Sequence, residues 1–167
     1  TMADRRPGDP PELVADSKKL SAKKREKIFK AIKEKALAVE IGVVDNEIID
    51  KINILQASFL AMRRTLKKIK LQPDYILTDG KFKIPKISIA QSAITKGDST
   101  VWVIAAASII AKVSRDWIMN NLDNDYPNYN FAKHKGYGTN EHLKNIAQFG
   151  PCPIHRLSFA PFKNSKP

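Results

Sequence analysis

Two aspartates stand where carboxylate chemistry is often found. Asp79 closes the apolar run DYILTD and is followed by Gly80, and Asp98 follows the run from Ile87 to Ile94 and a Lys96-Gly97 turn. They are 19 positions apart (98 minus 79). A carboxylate at the C-terminal end of a sheet strand is a common place for chemistry in α/β folds. If the two runs are neighbouring strands, both side chains reach one edge of the sheet. Converging carboxylates repel unless a cation or a proton intervenes, and oxygen-only ligands suit Mg²⁺ or Mn²⁺. Two such ions can activate water and stabilise the leaving oxygen in phosphodiester hydrolysis. The plainer reading of Asp98 is a helix cap, since it precedes the apolar helix from about Ile104 to Met119 and faces its amides and dipole.

Other groups invite chemistry less directly. Tyr137 stands between Gly136 and Gly138 in HKGYGT and is presented on an open loop. His134, His142 and His155 have spacings of eight and thirteen (142 minus 134, 155 minus 142), which match no standard zinc site. They read as hydrogen-bonding residues, with His155 and Arg156 near the core or a phosphate. Asp116, in an Arg115-Asp116 pair, reads as structural, with a catalytic role as the alternative. Trp102, Trp117 and most phenylalanines read as core.

Several elements must position these groups. Ser21 is placed to cap a basic helix to about Leu37; residues 17–35 hold nine lysines and arginines against two glutamates. That run is either a solvated face or a phosphate-contacting helix. Val39–Val44 is β-branched and reads as a strand. Asp45 or Asn46 starts a helix in which Ile52, Leu55, Phe59, Met62, Leu66 and Ile69 keep a helical period. Arg63, Arg64, Lys67, Lys68 and Lys70 crowd its end. Ala105, Ala106, Ala107 and Ser108 give the later helix a face without bulk, which permits close approach to another backbone. Thr139 can cap a short helix to about Phe149.

The chain has 167 residues, 43% hydrophobic and 28% charged, which reads as a single globular domain. No run of about 18 apolar residues predicts a membrane span, and the N-terminus lacks the apolar core of a signal peptide. One cysteine, Cys152, excludes an internal disulfide and fits a reducing, cytoplasmic setting. The net charge of +12 points towards a polyanionic partner.

Seven motifs then occur in order: DSKKLS (16–21), NILQASFLAM (53–62), DYILTDG (74–80), KGDS (96–99), IAAASIIAKVSRD (104–116), HKGYGT (134–139) and HRLSFAP (155–161). Together they resemble ribonuclease HII, over residues 15–162. The resemblance implies an α/β ribonuclease H-like fold, a mixed sheet flanked by helices. It implies an endonuclease that hydrolyses the RNA strand of RNA–DNA hybrids, or cuts 5′ to a ribonucleotide embedded in DNA, with Mg²⁺ or Mn²⁺. By position, Asp79 and Asp98 match metal-ligand aspartates, and Tyr137 matches the tyrosine that packs against the sugar at the RNA–DNA junction. Lys18 matches a lysine near the substrate backbone, and Ser17, Lys19 and Gly136 belong to the same substrate-contacting motifs.

The family also begins with a strand bearing an Asp-Glu-Ala-Gly-Arg-Gly motif and then a second strand. Residues 1–14 contain neither and read as a non-family leader, with 163–167 as a tail. Two of the family's carboxylates and its Gly-Arg-Gly element therefore have no counterpart here. The expectation is a sheet lacking its centre and a chain with little activity by itself, monomeric once those strands are supplied. The alternative is a non-catalytic, basic nucleic-acid-binding remnant of the family.

Overall fold

The computed structural model describes residues 20–164. Ser17, Lys18, Lys19, the leader and the last residues of the tail lie outside them. The described residues fall into two compact units: one runs up to Gly42 and resumes at Met62–Val113, the other comprises Val43–Ala61 and the residues from Ser114 onward.

In the first unit, Ser21 accepts a hydrogen bond from the Lys24 amide at 3.3 Å and starts α1 (Ala22–Lys35). This satisfies one of the orphan donors at a helix start. Ile28 and Phe29 are its buried residues. They join Leu20, Ala106, Ile109, Ile110 and Val113 in one apolar cluster. The last four lie on α4 (Trp102–Asp125). Ala105 and Ala106 are buried, whereas Ala107 is exposed. The small-residue face is thus narrower than its sequence suggests.

The sheet of the first unit consists of β1 (Tyr75–Asp79) and β2 (Ala90–Ile94), paired in parallel with Asp79 opposite Ile94. Gln91 stands in for a strand neighbour, since its side chain exchanges hydrogen bonds with the Ile84 amide and carbonyl at 2.7 and 3.0 Å. Among the described residues β1 pairs with β2 alone. Tyr75 and Leu77 remain 53% and 37% exposed. Val39–Val44 does not form the expected strand. A strand exists only through a partner's backbone groups, and none of the described residues offers this segment one. The two described strands are parallel.

Asp98 does not directly precede the long helix. Lys96, in the left-handed region at φ 56°, precedes a single turn, α3 (Gly97–Thr100), with Asp98 inside it. Val101 is extended, and α4 begins only at Trp102. A Cβ at Gly97 would lie 2.6 Å from Ile104 Cδ1, so that side-chain end would have to shift to admit any other residue at this corner.

In the second unit Asp45 accepts from the Ile48 amide at 2.8 Å at the start of α2 (Asn46–Lys68), a helix broken at Asn53, φ 65° and ψ 165°. The Asn53 side chain accepts from the Leu55 and Gln56 amides at 3.0 and 3.1 Å, capping the second segment. The apolar period noted above belongs mostly to that segment. After α4 come α5 (Phe131–His134) and α6 (Asn140–Phe149), the latter capped by Thr139 as its sequence indicates. Tyr129, Phe131, Ile146 and Cys152 form the second core cluster. Trp117 is 44% exposed, against the expectation that it is core, and among the phenylalanines Phe82 and Phe149 are 57% and 45% exposed. Trp102 does pack on the first cluster.

Candidate functional site

β1 delivers Asp79 at its last position, and its Oδ1 accepts a hydrogen bond from the Gly97 amide at 2.8 Å. Gly80 follows at φ +106°, a conformation that L side chains rarely adopt. It turns the chain away directly after the carboxylate, while its amide continues the ladder to Ile94 O at 2.9 Å. Asp98, adjacent to Gly97, is buried at 7% exposure and accepts from Ser99 Oγ at 3.3 Å. The parallel register therefore brings the two aspartates to the same end of the sheet, as their positions at two strand ends suggest. Asp79 is exposed to solvent. The oxygen-only donor set fits a hard divalent cation in kind. In number it is sparse: among the described residues no three His, Cys, Asp or Glu side chains are grouped to hold a metal ion.

The second unit contains Tyr137, 63% exposed, on the loop between α5 and α6. Lys135 and Gly136 are both left-handed, at φ 54° and 75°. The loop is secured from α4: Arg115 Nη2 donates to Lys135 O at 2.6 Å, and the guanidinium lies 4.3 Å from the Tyr137 ring centroid. Lys135 Nζ donates to Asn120 Oδ1 and, at 2.6 Å, to Ala132 O. One face of Tyr137 is thereby covered by a cation–π contact. Asp116 is half-buried beside Arg115.

A cavity of about 690 Å³ opens in this unit, lined among others by Arg115, Lys135, Tyr137, His142 and Arg156. Arg156 is half-buried, with its guanidinium 4.0 Å from the Phe159 ring. Its wall is tied down by Asp50 on α2. Asp50 accepts from the Leu157 amide at 2.8 Å, and from the amide and hydroxyl of Ser158 at 3.1 and 2.5 Å. Burial works to raise the Asp50 carboxyl. The Ser158 and Leu157 hydrogen bonds and the Arg156 charge outweigh it and hold the group below the usual range.

His134, His142 and His155, far apart in sequence, form one buried stack. The ring centroids are 4.3 Å apart between His134 and His142 and 5.3 Å between His142 and His155. Each ring is hydrogen-bonded. Neither this stack nor the roles of Arg115 and Asp50 was visible in the sequence. Arg115 and Lys135 are 20 positions apart, and no short-range pattern links them.

A family model for ribonuclease HII matches residues 12–162. The chain belongs to the ribonuclease HII family. The ribonuclease HII of Geotalea daltonii is 53% identical over 150 residues, covering 90% of this chain and 69% of that protein. That of Endomicrobium trichonymphae is 55% identical over 146 residues, covering 87% and 70%. Among solved structures, the ribonuclease H2 of Pyrococcus horikoshii OT3 matches with a TM-score of 0.69 at 23% identity, over 90% of this chain and 78% of that one. The ribonuclease HII of Archaeoglobus fulgidus, solved as a PCNA:RNase HII complex, matches with 0.70 at 24%, over 88% and 78%. These last two establish the ribonuclease HII fold. The family is one of endonuclease-type hydrolases. No helix of this family member is long and apolar enough to cross a membrane among the described residues.

Proposed function

We propose that the chain carries part of an endonuclease site that cuts the RNA strand of RNA–DNA hybrids, or cuts on the 5′ side of a ribonucleotide embedded in duplex DNA. The observation that carries this reading is the family match over residues 12–162. Water attacks the phosphorus, the bond to the upstream 3′ oxygen breaks, and the products end in a 3′-hydroxyl and a 5′-phosphate. Asp79 and Asp98 would hold Mg²⁺ or Mn²⁺, which supplies Lewis-acid charge for that hydrolysis. Gly97 keeps the Asp79 carboxylate oriented. Tyr137 packs against the sugar at the junction, with Gly136 shaping its loop and Arg156 available to a phosphate. Ser17, Lys18 and Lys19 are assigned to the substrate backbone by family position alone. Residues 15–162 form the family domain, the protein acts in the cytoplasm, and it is a monomer once its sheet is complete.

The sparse carboxylate set favours a second reading, a nucleic-acid binder without catalysis. Cleavage of a labelled duplex with one embedded ribonucleotide, in Mg²⁺ and in Mn²⁺, separates the two. The 167-residue chain alone should turn over far below about 1 per second. Fusion to the first two strands of a family relative should give metal-dependent cutting at the ribonucleotide. A fusion that folds and does not cut removes the enzymatic reading.

A further inference from the structure

Segment 153–158 of the second unit is held on both sides of Arg156 by two side chains of α2. Asn46 Nδ2 donates to Pro153 O at 2.8 Å and to His155 O at 3.0 Å, which spends both hydrogens of its amide group. Asp50 accepts the Leu157 amide on Oδ2, and the Ser158 amide and hydroxyl on Oδ1. Asn46 and Asp50 are four positions apart and share one face of the helix. The break at Asn53 ends that helical segment just beyond them. Five hydrogen bonds thus join one short face of α2 to residues 107–109 positions later.

Arg156 is the residue between the two grips. Its carbonyl accepts from the Phe159 amide at 3.1 Å, and the same turn sets the Phe159 ring against the guanidinium, 4.0 Å from carbon to centroid. The ring fixes the guanidinium without accepting a conventional hydrogen bond from it. Among the described residues no oxygen or nitrogen acceptor is hydrogen-bonded to that guanidinium. Arg156 is half-buried and lines the cavity of this unit. A planar cation with a ring behind it and unspent donors suits the oxygens of a phosphate. On a loose segment the same side chain would have to be ordered, at an entropic cost, each time it bound.

We propose that Asn46 and Asp50 are positioning residues for Arg156: together they fix the backbone on either side of it, so that its guanidinium meets a phosphate of the bound nucleic acid. The inference rests on the reading that Arg156 serves a phosphate. Both oxygens of Asp50 are spent on the amides of 157 and 158 and on the Ser158 hydroxyl. The carboxylate therefore orders the segment and leaves the donors of Arg156 to a ligand.

Affinity of the 167-residue chain for an RNA–DNA hybrid, measured across salt concentrations, tests this by the sign of the effect. By charge alone, Asp50→Asn makes a chain of net charge +12 more positive and should tighten binding to a polyanion. By loss of position it should weaken binding about tenfold and take about 0.9 from the salt slope, the share of one phosphate contact. Asn46→Ala changes no charge and should weaken binding in the same way. Arg156→Ala should match both. Adding either substitution to Arg156→Ala should change affinity no further, while each still lowers the denaturation midpoint. Tighter or unchanged binding in Asp50→Asn and Asn46→Ala, or a loss of equal size with and without Arg156, overturns the positioning role. The phosphate reading then stands if Arg156→Ala still weakens binding. Unchanged affinity in Arg156→Ala, or a chain that binds no hybrid, removes the phosphate reading and the proposal with it.

Discussion

Arg115 makes two contacts with one side chain, and they are of different kinds. The hydrogen bond to Lys135 O is charge-assisted, and the stacking on Tyr137 requires a flat cation. Arg115→Ala should destabilise the second unit by about 1–2 kcal/mol, read as a fall in the denaturation midpoint. Arg115→Lys should recover little of this, because an ammonium on a flexible stem reproduces neither geometry. Full recovery in the lysine variant would show that charge alone holds the loop. The place of Asp79 at a strand end was legible because an apolar run closed by a carboxylate and a glycine is a local pattern. Its bond to the Gly97 amide was not, because it depends on the register of two strands.

At the scale of elements, the helix starts were the most legible features. Ser21, Asp45 and Thr139 cap through side-chain bonds to amides three positions on, so the information is local. Thr139→Ala should cost about 1 kcal/mol. It should loosen the first turn of α6, seen as faster amide exchange at His142. Unchanged exchange there would place the start of α6 under tertiary control. Val39–Val44 was misread for the converse reason: β-branched composition favours a strand, but a partner must complete it. The break in α2 was hidden because the apolar period continues on the far side of Asn53. The separate turn of α3 ahead of the long helix was hidden because it leaves no mark in hydropathy.

The whole molecule carries a formal charge of +12, and the lysines of α1 from Lys23 to Lys35 are exposed. Binding to hybrid and to plain duplex should therefore weaken with salt, each phosphate contact adding about 0.9 to the slope of log affinity against log salt. A salt-independent affinity would leave the charge as a solubility feature. Family membership was readable from seven ordered motifs, whereas the two-unit division and the histidine stack depend on contacts distant in sequence. The central claim is that Asp79 and Asp98 hold the cation for phosphodiester hydrolysis. Its most direct test is cleavage of the ribonucleotide-containing duplex by Asp79→Asn and Asp98→Asn variants of the strand-completed protein, with affinity measured alongside. Each should lose at least about a hundredfold in rate while duplex affinity stays nearly unchanged. Full activity in Asp79→Asn would contradict it.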